Sequence, residues 1–284
     1  MAILLLTLPI VGSTSYLHKK EIVMSTLKTS IFFLTLLIAT SCTLSGQQEK
    51  ELVLGEHKLF TVLKTTQPII IDGKITEDVW GETESRQLEY FYRVDKPTDQ
   101  QATDFRMLWD EQNLYVSFVC TDQFITARER KRDARPYFDD CAEIFLIPAP
   151  DSLPMHYGFE LNLYKASNDF VHLNTIYQGK SGSVRGFDPE FEVEVSIEGT
   201  LNDNTDRDRG WSMEMAIPLS VFNGMDKFSP VIEGNQWAFL AVRQDRNDAE
   251  GNRRSTSTIF PIYDIEKNVH QRNRFGLLEF RSNP

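Results

Sequence analysis

Residues 104–120 read Asp-Phe-Arg-Met-Leu-Trp-Asp-Glu-Gln-Asn-Leu-Tyr-Val-Ser-Phe-Val-Cys. Two runs rich in aromatic and β-branched residues flank a polar tetrad, Asp110-Glu111-Gln112-Asn113. A connection of that length between two strand-like runs is a hairpin connection, so Arg106–Trp109 and Leu114–Phe118 are expected to pair antiparallel. Similar runs, separated by turn residues, recur at Asp104–Trp109, Leu114–Cys120, Ala142–Ile147, Tyr157–Leu163, Phe191–Ile197, Trp211–Ile217, Trp237–Arg243 and Phe275–Phe280. That spacing predicts an all-β chain built as an antiparallel β-sandwich, jelly-roll-like.

The alternation Phe191-Glu192-Val193-Glu194-Val195 gives its strand one apolar and one wet face, the mark of an antiparallel sheet. Helical signals reduce to one or two short turns. Thr76–Trp80 is expected to make one turn capped by Thr76, and Leu219–Phe222 another after Pro218. Pro68–Ile71 reads as a strand running into the tight turn Asp72-Gly73. With no internal repeat and no second linker, residues 59–284 form a single domain.

The N-terminus reads differently. Ile3–Val11 and Ile31–Ile38 are apolar, and the second follows Lys28 and precedes Ala39-Thr40-Ser41-Cys42. A basic flank, a short apolar run and small residues form a secretory signal over residues 1–41. The run is too short to span a bilayer comfortably. Ala-Thr-Ser-Cys resembles a bacterial lipobox, which implies acylation at Cys42 and anchoring to the bacterial outer membrane, with residues 42–58 as a polar tether. Met24 heads a complete signal of ordinary length, so residues 1–23 are open to being an upstream mis-start.

Residues 1–41 carry Lys19, Lys20 and Lys28 against Glu21, a net of +2, so of the formal charge of −11 the remainder carries −13. Phosphate binding needs clustered Lys and Arg, so nucleic acid is excluded as a partner. Cys120 and Cys141 leave both a disulfide and two buried free thiols open.

Residues 136–148, Pro-Tyr-Phe-Asp-Asp-Cys-Ala-Glu-Ile-Phe-Leu-Ile-Pro, set an aromatic pair and carboxylates before a short apolar strand. Flat apolar faces beside fixed acceptors suit a polyhydroxylated ligand. Asp139, Asp140 and Glu143 could also serve as loop fasteners, calcium ligands or a catalytic pair, although no acid at a defined place elsewhere completes the last. There is no Gly-x-Ser-x-Gly motif. The histidines at 18, 57, 156, 172 and 270 have no ligand spacing, and no organic cofactor is indicated.

Four segments, Ile71–Trp80, Leu108–Phe118, Asp139–Leu146 and Asn273–Phe280, stand in the order seen in family 9 carbohydrate-binding modules. The chain resembles the DOMON-related fringe of that family over about Pro68 to Phe280. The resemblance implies a β-sandwich, non-catalytic sugar binding and often a structural calcium. It places Tyr137 where the first of two site tryptophans stands, six residues before Glu143, which matches a strand glutamate. Asn162 matches a site asparagine, Glu160 stands where an arginine is commoner, and Arg243 and Arg253 fall near the polar rim. Val269-His270 occupies the place of the second tryptophan.

The expectation is a carbohydrate-binding lipoprotein holding a glycan at Tyr137, Glu143, Glu160, Asn162, Arg243 and Arg253. An outer-membrane scaffold that binds a protein partner is the alternative, and a glycan-degrading enzyme a further one.

Overall fold

The computed structural model describes residues 57–177, 180–223, 231–262, 265 and 268–283. The export signal, Cys42 and the tether up to residue 56 lie outside the described residues. Among the described residues no helix is long and apolar enough to cross a membrane.

In chain order the first half forms β1 (Phe60–Lys64), α1 (Asp78–Glu82), β2 (Ser85–Gln87), β3 (Tyr90–Tyr92), β4 (Thr103–Trp109), β5 (Asn113–Thr121), β6 (Cys141–Ile147) and β7 (Met155–Asn162). The second half forms β8 (Ser167–Tyr177), β9 (Lys180–Val184), β10 (Glu192–Glu198), β11 (Gly210–Pro218), β12 (Gln236–Arg246), β13 (Arg254–Thr258) and β14 (Gly276–Arg281). Hydrogen bonding links them in the order β10-β11-β5-β4-β1-β14-β12-β6-β7-β8-β9, with β13 continuing from β12, β3 from β13 and β2 from β4. Only β1 pairs in parallel among the described strands, with β4 and with β14, and so joins two antiparallel arms.

The arms pack face to face, which makes the sheet a sandwich. Phe105 of β4 and Phe60 of β1 lie against Phe239 of β12, with ring centroids 6.0 and 5.4 Å apart. Phe159 of β7 meets Phe191, just ahead of β10, edge-on at 5.4 Å. Burial of such rings is the dominant favourable term holding the arms together. A smaller apolar cluster of Val79, Trp80, Leu108, Tyr115 and Ala216 lies on the outer side of the β4–β5–β11 arm. It contains Glu214, whose carboxylate accepts from Trp80 Nε1 at 3.0 Å and from the Asp72 and Gly73 amides at 3.2 and 3.0 Å.

The 104–120 hairpin forms as expected, with Leu108 opposite Tyr115 and Trp109 opposite Leu114. Several sequence readings are corrected. The residues 68–71 are not a strand, and Ile70 is exposed; what the segment supplies is the turn at Gly73, whose φ of +80° suits glycine. Thr76 does not cap α1, which begins two residues later behind Glu77, whose side chain makes no cap. Leu219–Phe222 does form a single 3-10 turn after Pro218. Cys120 and Cys141 are buried free thiols. Cys120 lies in the core, whereas Cys141 stands on the opposite, outer face of its own arm in line with Glu143. Burial pushes the Cys120 thiol up to about 12.

Candidate functional site

Along a strand successive side chains alternate between faces, so β12 divides its polar residues in two. Arg243 and Asp245 point into the space between the arms; Gln244 and Arg246 point to the outer face, level with Glu143 of β6 and Glu160 of β7. These two faces do different things.

On the outer face a chain of polar side chains crosses five strands. Thr256 Oγ1 (β13) donates to Gln244 Oε1 (β12) at 2.8 Å, and Gln244 Nε2 donates to Glu143 Oε1 (β6) at 3.0 Å. Glu143 stands directly opposite Glu160 on β7, and Asn168 Nδ2 of β8 donates to Glu160 Oε2 at 2.6 Å. Glu143 and Glu160 are only 1% and 4% exposed, so each disfavours its charged form. Burial pushes Glu143 to about 7, against the pull of its Gln244 hydrogen bond and the nearby Arg246 charge. Burial, and then the Glu143 charge, push Glu160 well above the usual carboxylate range. The row also holds unmet bonding capacity: Glu143 Oε2, Asn168 Oδ1 and Arg246 Nη1 are buried with no hydrogen-bond partner.

At one end of this row the 3-10 turn Pro136–Phe138 packs against β6, β7 and β12. Tyr137 is half-buried and Phe138 is 44% exposed, with ring centroids 5.0 Å apart. Arg246 fixes the turn by donating from Nε to Phe138 O at 2.7 Å and from Nη2 to Tyr137 O. Asp139 ties it to the preceding loop, accepting from the Arg128 and Glu129 amides at 2.9 and 2.8 Å and from Asn162 Nδ2 at 2.8 Å. An open cleft of about 470 Å³ borders the turn, lined by Arg128, Glu129, Ala134, Arg135, Phe138 and Asp139.

The structure thus brings Tyr137, Glu143 and Glu160 to one face, and separates the other three expected site residues from that role. Asn162 spends its whole side chain on the fold: Nδ2 donates to Glu129 O and Asp139 Oδ2, and Oδ1 accepts from the Tyr164 and Ala166 amides. Arg243 is fully buried on the opposite face, where Nη1 donates to Thr103 Oγ1 and Thr121 O and Nη2 pairs with Asp122 at 3.1 Å and Asp245 at 3.5 Å. Arg253 folds back onto Asp99 at 3.0 Å. The guanidiniums on the row's own face are Arg246 and, opposite it on β13, Arg254. Sequence pattern missed them because β12 runs three residues past the expected end, and because Arg254-Ser-Thr-Ser-Thr lacks the apolar residues that mark a strand.

The resemblance also implies a calcium ion, for which the buried acidic donors are the aspartates of the inner face. Asp122, Asp140 and Asp245 are buried with oxygens close enough to share an ion. Arg243 already supplies the cation there; Asp140 accepts from the Thr126 and Arg246 amides, and Asp122 from Phe124 N and Trp211 Nε1. These bonds build an internal ion-pair network around Arg243, in which Asp245 Oδ1 and Arg243 Nε have no hydrogen-bond partner.

His270 forms no second sugar platform: its ring is stacked on His172 and His156, with centroids 4.5 and 5.2 Å apart. His156 and His172 face each other across β7 and β8. Burial holds His156 and His172 below their ordinary values and His270 at about 3, so it disfavours the charged form of all three.

Comparison with known proteins agrees with this architecture. Residues 71–282 match the profile described as carbohydrate family 9 binding domain-like. Endo-1,4-beta-xylanase A of Thermotoga neapolitana is 32% identical over 110 residues, 37% of this chain but only 10% of that enzyme. A family 9 carbohydrate-binding module from Caldicellulosiruptor kristjanssonii, solved with cellotriose, superposes with a TM-score of 0.55 at 19% identity over 80% of this chain and 95% of the module. The module from that organism solved with glucose gives 0.51 at 18% identity over 79% and 97%. A candidate carbohydrate-binding protein from Bacteroides uniformis gives 0.58 at 16% identity over 79% and 99%. With the profile spanning most of its length, the chain belongs to the carbohydrate family 9 binding domain-like family.

Proposed function

We propose that this protein is a non-catalytic carbohydrate-binding lipoprotein that takes a glycan at the Tyr137–Phe138 turn and the polar row behind it. The observation that carries the reading is the Tyr137–Phe138 aromatic pair at the end of a polar row in which Glu143 Oε2, Asn168 Oδ1 and Arg246 Nη1, among other buried atoms of the fold, have no partner. A buried polar atom without a partner costs about 1–3 kcal/mol, and such atoms in a native fold call for a partner. Sugar hydroxyls donate and accept from the same atom, so a sugar can meet both the acceptors and the guanidinium nitrogen. The aromatic pair supplies the apolar surface for a ring face. The solved modules with cellotriose and glucose support a glycan as the ligand class.

Glu143 and Glu160 are nearly closed to water, so a hydroxyl reaches them only when neighbouring side chains shift. One stacked ring and a few hydrogen bonds correspond to micromolar to millimolar affinity. Calorimetry against a panel of oligosaccharides at high concentration tests the reading; silence across the panel overturns it.

The anchor belongs to the same proposal, supported by Ala39-Thr40-Ser41-Cys42 behind an apolar run. Mass spectrometry of the mature protein is expected to find an acylated N-terminal Cys42, and an unmodified Cys42 would refute the anchor.

A further inference from the structure

We propose that His156, His172 and His270 form a binding site for one divalent transition-metal ion of the zinc class. The three imidazoles come from β7, β8 and the segment ahead of the Arg272–Arg274 turn, and one nitrogen of each lies within 4.8 Å of the others. His156 Nε2 and His270 Nδ1 are 3.1 Å apart. Two nitrogens on one tetrahedral zinc, each about 2.0–2.1 Å from the metal, sit roughly 3.3–3.4 Å apart, so this pair is already at coordination spacing. His172 brings a third imidazole nitrogen within 4.8 Å of the other two. Its Nδ1 is held by Ser183 Oγ at 3.0 Å, which orients the ring and leaves Nε2 for the ion, the outer-shell arrangement typical of metal-bound histidine.

The donor set selects the metal class. All three donors are imidazole nitrogens with no carboxylate among them, which suits zinc, copper or nickel and not calcium or magnesium. Phe145, Phe170 and Phe275 wall the cluster, with centroids 5.0 to 6.5 Å from the histidine rings, so the site is dry on that side. His270 is only half-buried and gives the ion a way in. Binding needs no net proton release: the ring that donates in the His156–His270 hydrogen bond moves its proton to its other nitrogen, a lone pair on each neutral ring then forms the bond, and water fills the fourth position. The site rests on different residues from the sugar reading and does not depend on it.

Equilibrium dialysis of the full chain, purified without a histidine tag, against zinc is expected to retain one ion per chain. Cobalt in its place is expected to give the intense visible absorption of a tetrahedral site. His270→Gln and His172→Gln are each expected to lower zinc affinity at least tenfold with an unchanged circular dichroism spectrum, and Glu143→Gln to leave it unchanged. Absence of stoichiometric zinc on the wild-type chain overturns the proposal, as does tight binding that survives both histidine variants. If a variant fails to fold, the wild-type stoichiometry and cobalt spectrum still decide.

Discussion

Arg243 and Gln244 are neighbours on β12, yet the two faces they open onto differ in how charge is balanced. Arg243 enters a network that contains its own counter-charges: Asp122, Asp245 and three oxygens of β4, β5 and the Ala102 carbonyl surround one guanidinium. Gln244 enters a row where two carboxylates face each other across β6 and β7 and buried atoms are left without partners. Both regions are buried and polar. Unspent bonding capacity occurs on both faces, since Arg243 Nε and Asp245 Oδ1 also lack partners; what differs is that a guanidinium sits among the carboxylates of one network, while in the other two carboxylates face each other directly.

The largest expected effect breaks the network. Arg243→Ala strands Asp122 and Asp245 without their cation, and removing one partner of a buried pair costs about 3–5 kcal/mol. Urea unfolding should show that loss, and a shift under about 1 kcal/mol would mean the network is not what holds the arms together there.

Next comes the turn. Tyr137→Ala is expected to weaken glycan binding tenfold or more, equivalent to about 1.4 kcal/mol, while the unfolding midpoint stays close to wild type. Unchanged calorimetric affinity would remove Tyr137 as the platform. Glu143→Gln keeps the shape but takes away the carboxylate, and a smaller, few-fold loss is expected in the same titration.

The smallest effect is a pH dependence. Glu143 and Glu160 both have folded pKa values raised above the ordinary 4.5, so the folded state binds more protons and stability falls as pH rises from there through about 7. The three histidines act in the opposite direction: lowered folded values make stability fall as pH drops below about 6.5. The difference between wild type and Glu160→Gln cancels the histidine contribution. The variant is expected to melt about 2–4 °C higher at pH 8 and nearly level with wild type at pH 5. An offset that does not vary with pH would show that folding does not raise the Glu160 carboxyl above its ordinary value.

Much of the fold was legible in the sequence. The hairpin about Asp110–Asn113, the strands of β5, β6, β11 and β14 and the turn after Pro218 follow from local runs and turn residues. β8 and β13 were not visible, since Ser-Asn-Asp and Arg-Ser-Thr-Ser-Thr resemble loops until neighbouring strands satisfy their backbones. The site divided in the same way. Tyr137, Glu143 and Glu160, expected together from composition and resemblance, do lie on one face, whereas Arg243 and Arg246 differ by strand parity, which depends on where β12 begins and how it registers on β6.

By itself the sequence determined an antiparallel β architecture and a family, because hydrophobic alternation and turn chemistry act over a few residues. Only the tertiary structure decided which arginine faces the row, that Asn162 is consumed by the fold, and that His156, His172 and His270 meet. Those outcomes depend on register between strands distant in sequence, and a shift of one residue there sends every side chain to the other face.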